Sequence, residues 1–341
     1  MVDLDVREQD AFDVAAFGAW LDGAVPGLGP ITGIKQFAGG ASNLTFQIDC
    51  LNDSVVMRTS PTGRKASGAH DMQREAKLLS ALRPAYDKVP EVLAVAGDES
   101  PLERPLFISE FVGGTILRRD LPEGAPVEAM AQTFIGAFVD LHAVDTATGD
   151  LAAFNKGNGY VRRQVQGWST RYRQARTPDV PDGEGVMAWL DAEQPADVAA
   201  CVIHNDWRFD NMVLDPDNLS HIKAVLDWEL ATVGDPFMDL GSALAYWVEP
   251  GDDEGMQAFR MQPSNAPGMP TREQFVDIYC QAAGRPRPQW LFYEVYGLFR
   301  LAGIAQQIWY RYYHGQTDNP RFAVFGPAVQ YLLARCERLI G

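Results

Sequence analysis

The segment "CVIHNDWRFDNMVLD", residues 201–215, concentrates hydrogen-bonding side chains between two short apolar runs. Its spacing is His204-x-Asp206-x-x-x-x-Asn211, and the later "HIKAVLDWELATVGDP" contains an apolar run that ends at Asp227. An Asp at the start of a loop can accept the proton of an attacking hydroxyl group. Asn and Asp oxygens, together with nucleotide phosphates, suit Mg²⁺. We therefore predict that Asp206 is the catalytic base, that Asn211 and Asp227 are metal ligands, and that His204 braces the loop.

The same spacing also has an ordinary structural explanation. Asp and Asn are common in turns, so a single His-x-Asp-x-x-x-x-Asn match is weak support for catalysis. The apolar runs "CVI" and "MVL" and the later "VLDWE" favour a loop held between buried strands. Asp235 precedes Pro236, which suits a helix N-cap followed by Pro at the first helical position. The catalytic interpretation therefore gains most from matching residues elsewhere in the chain.

A glycine-rich segment, "FAGGASNLTFQI", lies between two predicted strands. Gly39 and Gly40 allow the backbone to approach phosphates closely, and Ser42 and Asn43 add side-chain donors. A plain glycine-rich hairpin turn explains the segment equally well when it is taken alone. In the order of the chain, it is the first part of a predicted nucleotide site.

The next part is a pair of opposite charges. In "SVVMRTS", Arg58 occupies the strand position where a kinase usually carries Lys, and we predict that it pairs with the α- and β-phosphates and with Glu75 of "QREAKLL". A strand-edge Arg and a solvent-facing helical Glu are the structural alternative. Arg keeps the charge but replaces a compact ammonium with a planar fork. Lys65, in "TGRKASG", is a second candidate for the same role.

The composition indicates a globular protein with an acidic surface. Among 341 residues, 46% are hydrophobic and the net charge is −16, which argues against non-specific nucleic-acid binding. The sequence has no run of about 18 uncharged apolar residues, and its acidic N-terminus lacks the apolar stretch of a secretory signal. Its four cysteines are far apart and form no Cys-x-x-Cys pair. We expect free thiols in a reduced, cytoplasmic protein without membrane contact.

Hydrophobic periodicity divides the chain into two parts. An amphipathic helix is predicted at residues 13–25, and strands with intervening turns at residues 31–60. One helix and two more strands complete a small lobe at residues 1–112. From residue 113 the pattern is mainly helical, with a brief return of strands at residues 201–232. The predicted fold is therefore α+β and bilobal, with a small antiparallel sheet in the first lobe.

Three segments carry a resemblance to a known family: "VIHNDWRFDNMVLD", "AVLDWELATVGDPFMDLG" and "GGASNLTFQI". They resemble the aminoglycoside phosphotransferase (APH)-like, or choline-kinase-like, small-molecule kinases. The usual loop form is His-Gly-Asp, and Asn205 here replaces the Gly. Arg58, residues 159–177 and residues 292–315 make the chain similar to the kinase-like domain fused to certain acyl-CoA dehydrogenases. The resemblance extends from about residue 30 to the end.

The resemblance implies a bilobal protein-kinase-like fold with ATP in the cleft and a nucleotide-binding hinge from Glu110 to Val112. It implies Mg²⁺ and transfer of the γ-phosphoryl group to a hydroxyl of a small molecule. Family members attached to acyl-CoA dehydrogenases are associated with hydroxyacyl-CoA thioesters. A hydroxyacyl-CoA acceptor, with a functional link to a dehydrogenase, is therefore the leading expectation.

Arginines in the C-terminal half are candidates for acceptor binding. In "GLFRLAGIAQQIWYRYY", Arg300, Gln307 and Arg311 fall at i, i+7 and i+11, a helical spacing that could place them along an anionic acceptor. A core helix with a solvated stripe is the alternative. "YVRRQVQGWSTRYRQAR" supplies further cations: Arg162, Arg163, Arg171, Arg173 and Arg176. An exposed, solvated helix face explains this second run equally well.

Two other functions fit parts of the sequence. The negative charge would attract a polycation, so an aminoglycoside is an alternative acceptor, with carboxylates expected around it, for example from "EPGDDEG". A nucleotide-binding pseudokinase that acts through partners is the second alternative, and Arg58 is its only sequence support. Against it, Asp206, Asn211 and Asp227 are all present.

Overall fold

The computed structural model describes residues 3–37, 43–61 and 71–341. Four residues named above lie outside these ranges: Gly39, Gly40, Ser42 and Lys65. Within these ranges no helix is long and apolar enough to cross a membrane.

The N-terminal part is built on one twisted sheet. Its strands are β1 (Asp3–Asp5), β2 (Ile31–Gln36), β3 (Leu44–Cys50), β4 (Ser54–Thr59), β5 (Val92–Ala96) and β6 (Leu106–Glu110). They lie in the order β1-β2-β3-β4-β6-β5, and every neighbouring pair from β2 onward is antiparallel. The predicted antiparallel sheet is confirmed. It gains a parallel edge strand, β1, which the sequence analysis missed because three residues are too few to show an alternating pattern.

Two helices pack with this sheet. The helix α1 (Val14–Ala24) begins at Asp13, whose carboxylate accepts the N–H groups of Ala15 and Ala16, as the predicted opening helix requires. The helix α2 (Met72–Leu82) begins at Asp71, which caps the N–H of Arg74. Residues on the inner face of α2 are buried, and Glu75 is among them at 2% exposure. A charged side chain on a buried helix face requires a partner.

The C-terminal part is mainly helical. Its helices are α3 (Val127–His142), α4 (Tyr160–Ala175), α5 (Glu184–Ala192), α6 (Pro236–Leu244), α7 (Glu254–Gln257), α8 (Arg272–Ala282), α9 (Trp290–Tyr313) and α10 (Phe325–Ile340). Four short strands interrupt them: β7 (Cys201–Ile203), β8 (Met212–Asp215), β9 (Asn218–Val225) and β10 (Thr232–Gly234). β7 pairs with β10, and β8 forms a hairpin with β9. The predicted catalytic loop lies between β7 and β8, and the predicted metal ligand Asp227 follows β9.

Two hydrophobic clusters underlie this arrangement. One joins α1 to the N-terminal sheet, and the other fills the helical part and also takes in the buried face of α2. The bilobal α+β fold is therefore confirmed. The boundary between residues 112 and 113 stays a prediction; residue 112 is the second residue after the end of β6.

Close packing between α6 and α9 brings two side chains to the same loop. A Cβ added at Gly241 would lie 2.4 Å from the carbonyl oxygen of Tyr293, and one added at Gly297 would lie 2.1 Å from the carbonyl oxygen of Gly241. Only glycine permits this approach. Asp239 and Arg300 lie close in sequence to these glycines and therefore reach the catalytic loop from two helices.

Candidate active site

The catalytic loop follows β7 and begins with an unusual backbone conformation. Asn205 has φ of +66°, in the left-handed region that non-glycine residues rarely adopt. Asn tolerates this region better than most residues, so it can stand where the family form has Gly. Its side chain donates to the carbonyl of Leu230 at 3.0 Å, which connects the loop to the segment after Asp227. The departure from the family motif is therefore structurally accommodated.

Asp239 of α6 holds the backbone of this loop through two hydrogen bonds. Its two carboxylate oxygens accept the N–H of His204 at 2.6 Å and the N–H of Asn205 at 2.7 Å. The His142 ring contacts the same carboxylate at 3.2 Å, and Asp239 is fully buried. No role was predicted for Asp239 from the sequence. Its position one helical turn after the N-cap Asp235, which accepts the N–H groups of Phe237 and Met238, was the available signal.

His204 connects the catalytic loop to the metal loop. Its Nδ1 accepts the N–H of Asp206 at 3.2 Å, and its Nε2 lies 3.0 Å from the carbonyl oxygen of Leu226. Burial lowers the pKa of His204, which favours the neutral ring with one donor and one acceptor nitrogen. These contacts are those of a brace, as predicted for this residue.

Asn211 closes the far end of the catalytic loop. Its amide nitrogen donates to the Asp206 carbonyl at 2.9 Å and to the Asp206 carboxylate at 2.8 Å. Its backbone carbonyl accepts the N–H of Leu226, the residue before Asp227, at 2.7 Å. Because the amide nitrogen is engaged by Asp206, the side-chain oxygen is the atom that Asn211 can offer to a cation.

Asp227 follows β9 in a left-handed conformation, with φ of +65°. Its side chain is 39% exposed, whereas Glu75 on the other side of Arg58 is buried. Among the described residues, no group of three or more His, Cys, Asp or Glu side chains could hold a metal ion by itself. An ion held by Asp227 and Asn211 would therefore take its remaining ligands from a bound molecule or from water.

Arg58 joins three acidic side chains from separate segments. Its Nη1 lies 3.2 Å from Glu75, and its Nη2 lies 3.1 Å from Asp227 and 3.5 Å from Glu229. The planar fork lets one side chain face a helical acid and a loop acid through different nitrogens. The structure thus contains the predicted pair of Arg58 with Glu75. Binding of a nucleotide by these two residues stays a prediction.

Asn43 connects the glycine-rich segment to the loop after Asp227. Its amide donates to the Glu229 carboxylate at 2.6 Å, across 186 residues of sequence. Arg74 of α2 contacts the backbone carbonyls of Glu229 and Ala231 in the same loop. We predicted Asn43 as a phosphate donor, and the structure shows its amide bonded to Glu229.

The predicted hinge begins at the end of β6. The Glu110 carboxylate accepts the N–H of Glu91 at 2.8 Å and lies 3.6 Å from Arg83. Glu110 and Val112 both line a cavity of about 620 Å³ that α3 and β9 also border. The Glu110 N–H donates to the Glu91 carbonyl, so it is engaged within the sheet. Contact of these hinge residues with a nucleotide stays a prediction.

Arg208, left without a role by the sequence, lies directly beside Asp206. Its Nη2 is 3.3 Å from the Asp206 carboxylate, and its Nε is 3.1 Å from the Asp210 carboxylate. Its guanidinium group also lies 4.8 Å from the centre of the Tyr246 ring. A cation is therefore held against the predicted base, two positions after it in the loop.

The three α9 residues predicted to bind an acceptor do not form one set. Arg300 is buried and donates to the carbonyl of Asn205 at 2.8 Å. Gln307 donates to Gly303 within its own helix, and Arg311 is half-buried farther along α9. Arg300 reaches the catalytic loop because α6 and α9 pack closely. Binding of an acceptor by Arg300, Gln307 and Arg311 stays a prediction.

Comparison with known proteins identifies the family to which the chain belongs. The family model described as "Phosphotransferase enzyme family" (APH) matches residues 33–290. The chain is 34% identical over 291 residues to acyl-CoA dehydrogenase family member 10 of Mus musculus, covering 84% of this chain and 27% of that protein. The chain thus spans about a quarter of that relative's length. This match confirms the similarity to the kinase-like part of such proteins.

Solved structures agree as well. A Ralstonia eutropha JMP134 protein provisionally named an aminoglycoside phosphotransferase shares 30% identity, with a TM-score of 0.80 over 96% of this chain and 98% of that one. A thermostable mutant of the aminoglycoside phosphotransferase APH(4)-Ia, in a ternary complex with AMP-PNP and hygromycin B, shares the fold at 17% identity, with a TM-score of 0.58 over 95% and 98% of the two chains. The chain therefore belongs to the APH phosphotransferase enzyme family.

Proposed function

We propose that this protein is an ATP- and Mg²⁺-dependent kinase that transfers the γ-phosphoryl group to a hydroxyl of a small molecule. The observation that carries the proposal is the hydrogen-bonded connection between the two predicted loops. Asn211 bonds both to Asp206 and to the residue before Asp227, and Arg58 bonds to Asp227 from the sheet. The AMP-PNP complex of a protein with the same fold supports ATP as the donor.

In this mechanism, Asp206 orients the acceptor hydroxyl and takes its proton as the oxygen attacks phosphorus. Arg208, which touches the same carboxylate, holds a positive charge next to the transferred group. Arg58 contributes positive charge for the nucleotide phosphates, and Glu75 fixes its position. Each of these steps uses a side chain that the fold already holds in place.

Mg²⁺ fits the available donors. The Asn211 side-chain oxygen and the partly exposed Asp227 carboxylate are the hard oxygen ligands that this ion prefers. Two protein ligands suit Mg²⁺ in particular, because it usually keeps waters and takes substrate phosphates into its shell. When bound, the ion would neutralise charge on the phosphate oxygens.

The charges near Asp206 favour an anionic acceptor over an aminoglycoside. Arg208 and Arg300 both contact the catalytic loop. The acid-rich segment "EPGDDEG" is largely engaged elsewhere, since Arg272 contacts Glu249 and Asp252. A hydroxyacyl-CoA, which carries phosphates, remains our proposed acceptor, and a functional link to an acyl-CoA dehydrogenase follows only from the names of relatives.

The proposal is tested by incubating the chain with ATP and Mg²⁺ against hydroxyacyl-CoAs, aminoglycosides and amino alcohols. ADP release and the phosphate ester, detected by mass spectrometry, are measured together. We expect a phosphorylated hydroxyacyl-CoA. If no phosphate ester forms on any acceptor while nucleotide still binds, the kinase proposal is wrong and the pseudokinase alternative gains support.

Replacement of Asp227 by Ala should remove Mg²⁺-dependent nucleotide binding. Asp227 is one of the two proposed metal ligands and also a partner of Arg58, so its loss affects both. We expect the nucleotide Kd measured with Mg²⁺ to rise by about tenfold or more, to the value measured with EDTA. Asp217→Ala, at an exposed turn of the β8–β9 hairpin, is the control. An unchanged Mg²⁺ dependence in the Asp227 variant would refute the metal role.

Nucleotide affinity should also depend on pH through Glu75. Burial raises the pKa of Glu75 from 4.5 to about 7, and Arg58 opposes this shift. The ion pair is complete only when Glu75 is ionised, so the KM for ATP should rise as pH falls through 7. The Glu75→Gln variant should have a higher KM that no longer changes across this window. A wild-type pH profile in the variant would assign the dependence to another group.

The same ionisation opposes folding, because the folded-state pKa lies above the ordinary value. The stabilisation from protonated Glu75 is fully present below about pH 4.5 and is lost as pH rises through about 7. The Glu75→Gln variant should therefore lose this part of the pH dependence of its Tm. Thermal unfolding at several pH values checks the raised pKa of Glu75 in the folded state independently of catalysis.

A further inference from the structure

Two arginines from different helices lie against one tryptophan beside the catalytic loop. The guanidinium of Arg171, on α4, is 4.1 Å from the centre of the Trp168 ring. The guanidinium of Arg300, on α9, is 5.4 Å from the centre of the same ring. A Cβ added at Gly303 would lie 2.9 Å from the Trp168 ring, so the absence of a side chain there lets the indole pack onto α9. We name Trp168, Arg171 and Arg300 the paired-arginine cluster.

Neither arginine of the cluster has a carboxylate within ion-pair distance among the described residues. Three arginines with side chains only 13–14% exposed, Arg58, Arg208 and Arg272, each contact at least two carboxylates. The chain has 45 acidic residues for 29 basic ones, so acids are plentiful. Buried charges are normally paired, and an unpaired pair of like charges is costly. The paired-arginine cluster is therefore an exception that calls for a ligand.

Two further observations concern the hydrogen bonds and the charges of these two arginines. The Nε of Arg171 is buried and has no hydrogen-bond partner among the described residues; the Nε atoms of Arg58 and Arg208 share this feature, but those arginines contact carboxylates through other atoms. Burial lowers the pKa of Arg171, the Tyr296 hydroxyl opposes this effect, and the charge of Arg300 adds to it. Arg300 directs one donor to the Asn205 carbonyl, while a guanidinium group has five. An anion bound at the Arg171 guanidinium would offset the repulsion from Arg300 and could accept the hydrogen bond that Nε lacks.

The cluster lies next to the reaction centre. Arg300 bonds to the carbonyl of Asn205, the residue immediately before Asp206. Arg171 is half-buried, whereas Arg300 is buried. A single molecule could therefore place a hydroxyl near Asp206 and an anionic group near Arg171.

We propose that the paired-arginine cluster binds the anionic group of the acceptor, a carboxylate or a phosphate. The inference rests on the proposed kinase function and names the acceptor's chemical class: a hydroxyl-bearing small molecule with at least one negative charge. Arginine forks suit both anions, because their parallel N–H groups match pairs of anionic oxygens. The carboxylate of a free hydroxy acid and the phosphates of a CoA thioester are the two sources of such a group.

The test compares Arg171→Met with Arg162→Met. Arg162 is exposed on the same helix and lies nine residues earlier, about two and a half turns, so it points to the opposite side. Both variants lose one positive charge and keep a helix-compatible side chain. Thermal unfolding of each variant verifies that the fold is retained. Arg171 is preferred to Arg300 because the enclosed Arg300 also supports the catalytic loop.

Kinetics with three acceptors separate the sources of the anion: a hydroxyacyl-CoA, the matching free hydroxy acid, and an uncharged hydroxyacyl thioester. We expect Arg171→Met to raise the KM for an anionic acceptor about tenfold, the loss of a charge-assisted hydrogen bond, without changing the KM for ATP. A rise in KM only for the CoA thioester identifies its phosphates as the anion that binds the cluster. A rise in KM only for the free acid identifies the carboxylate. Equal losses with the uncharged thioester, or the same losses in Arg162→Met, would overturn the proposal.

Binding without ATP keeps the inference separate from the proposed activity. Calorimetric titration with coenzyme A and with the free hydroxy acid measures the site even if no phosphoryl transfer occurs. We expect at least one of these anions to bind the wild type and Arg162→Met, and to bind Arg171→Met about tenfold more weakly. If transfer fails but this difference appears, the anion site stands and the kinase proposal falls. If neither anion distinguishes the two variants, the cluster is only a packing contact.

Discussion

Replacing Asp206 by Asn should lower kcat for phosphoryl transfer by about 10²–10⁴-fold, the usual contribution of a general base. The Asp206 carboxylate is contacted by Asn211 and Arg208, so its position in the loop is fixed by two side chains. Asn keeps the size and hydrogen-bonding ability of the side chain but cannot accept a proton at neutral pH. The substitution should therefore lower kcat without unfolding the loop.

The affinity for ATP should change little in this variant, because the Arg58 contacts with Glu75 and Asp227 do not involve Asp206. Steady-state kinetics and nucleotide titration measure the two quantities on the same preparation. Asp217→Asn, on the exposed turn of the β8–β9 hairpin, is the matched control and should retain wild-type kcat. Turnover near the wild-type level in Asp206→Asn would remove this residue as the base.

Replacing Asp239 by Ala should be the most destabilising single change in the site. Asp239 is fully buried and satisfies the N–H groups of His204 and Asn205. Its removal leaves those donors and the His142 ring without their buried partner. Loss of one partner from a buried charged network typically costs about 3–5 kcal/mol of the free energy of unfolding.

Urea unfolding of Asp239→Ala and of the exposed control Asp217→Ala measures this difference directly. The variant should also lose activity at temperatures where it remains folded, because the Asn205 backbone loses one of its two supports. Asp239→Asn should also have a lower free energy of unfolding, since its amide nitrogen would face a backbone donor. A free energy of unfolding within about 0.5 kcal/mol of the control would show that the loop is held by other contacts.

Local patterns in the sequence were sufficient for much of the fold and for the residues of the two loops. The alternation at β3 predicts a strand with one buried face, and the structure buries Leu44, Phe46 and Ile48 on that face. Asp13 predicts a helix start because capping depends on neighbours only two or three residues away. These predictions succeed because their physical causes act over a few residues.

Contacts between distant segments could not be read in this way. The bond from Asn43 to Glu229 and the approach of Arg300 to Asn205 each join residues far apart in the chain. The helical spacing of Arg300, Gln307 and Arg311 predicted a shared face, but it could not predict that Arg300 bonds to the Asn205 carbonyl. Periodicity shows which residues share a helix face, and it does not show what that face meets.

By itself, the sequence determined the kinds of residue that could act: a base, two oxygen ligands, a strand cation and its acid. The tertiary structure decided their surroundings. It put Arg208 beside Asp206, put Asp239 beneath the loop, and brought Arg171 and Arg300 to Trp168 without acids between them. The physical reason is that charge pairing and hydrogen bonding act over a few ångströms in space, so they depend on which distant helices the glycines of α6 and α9 allow to meet.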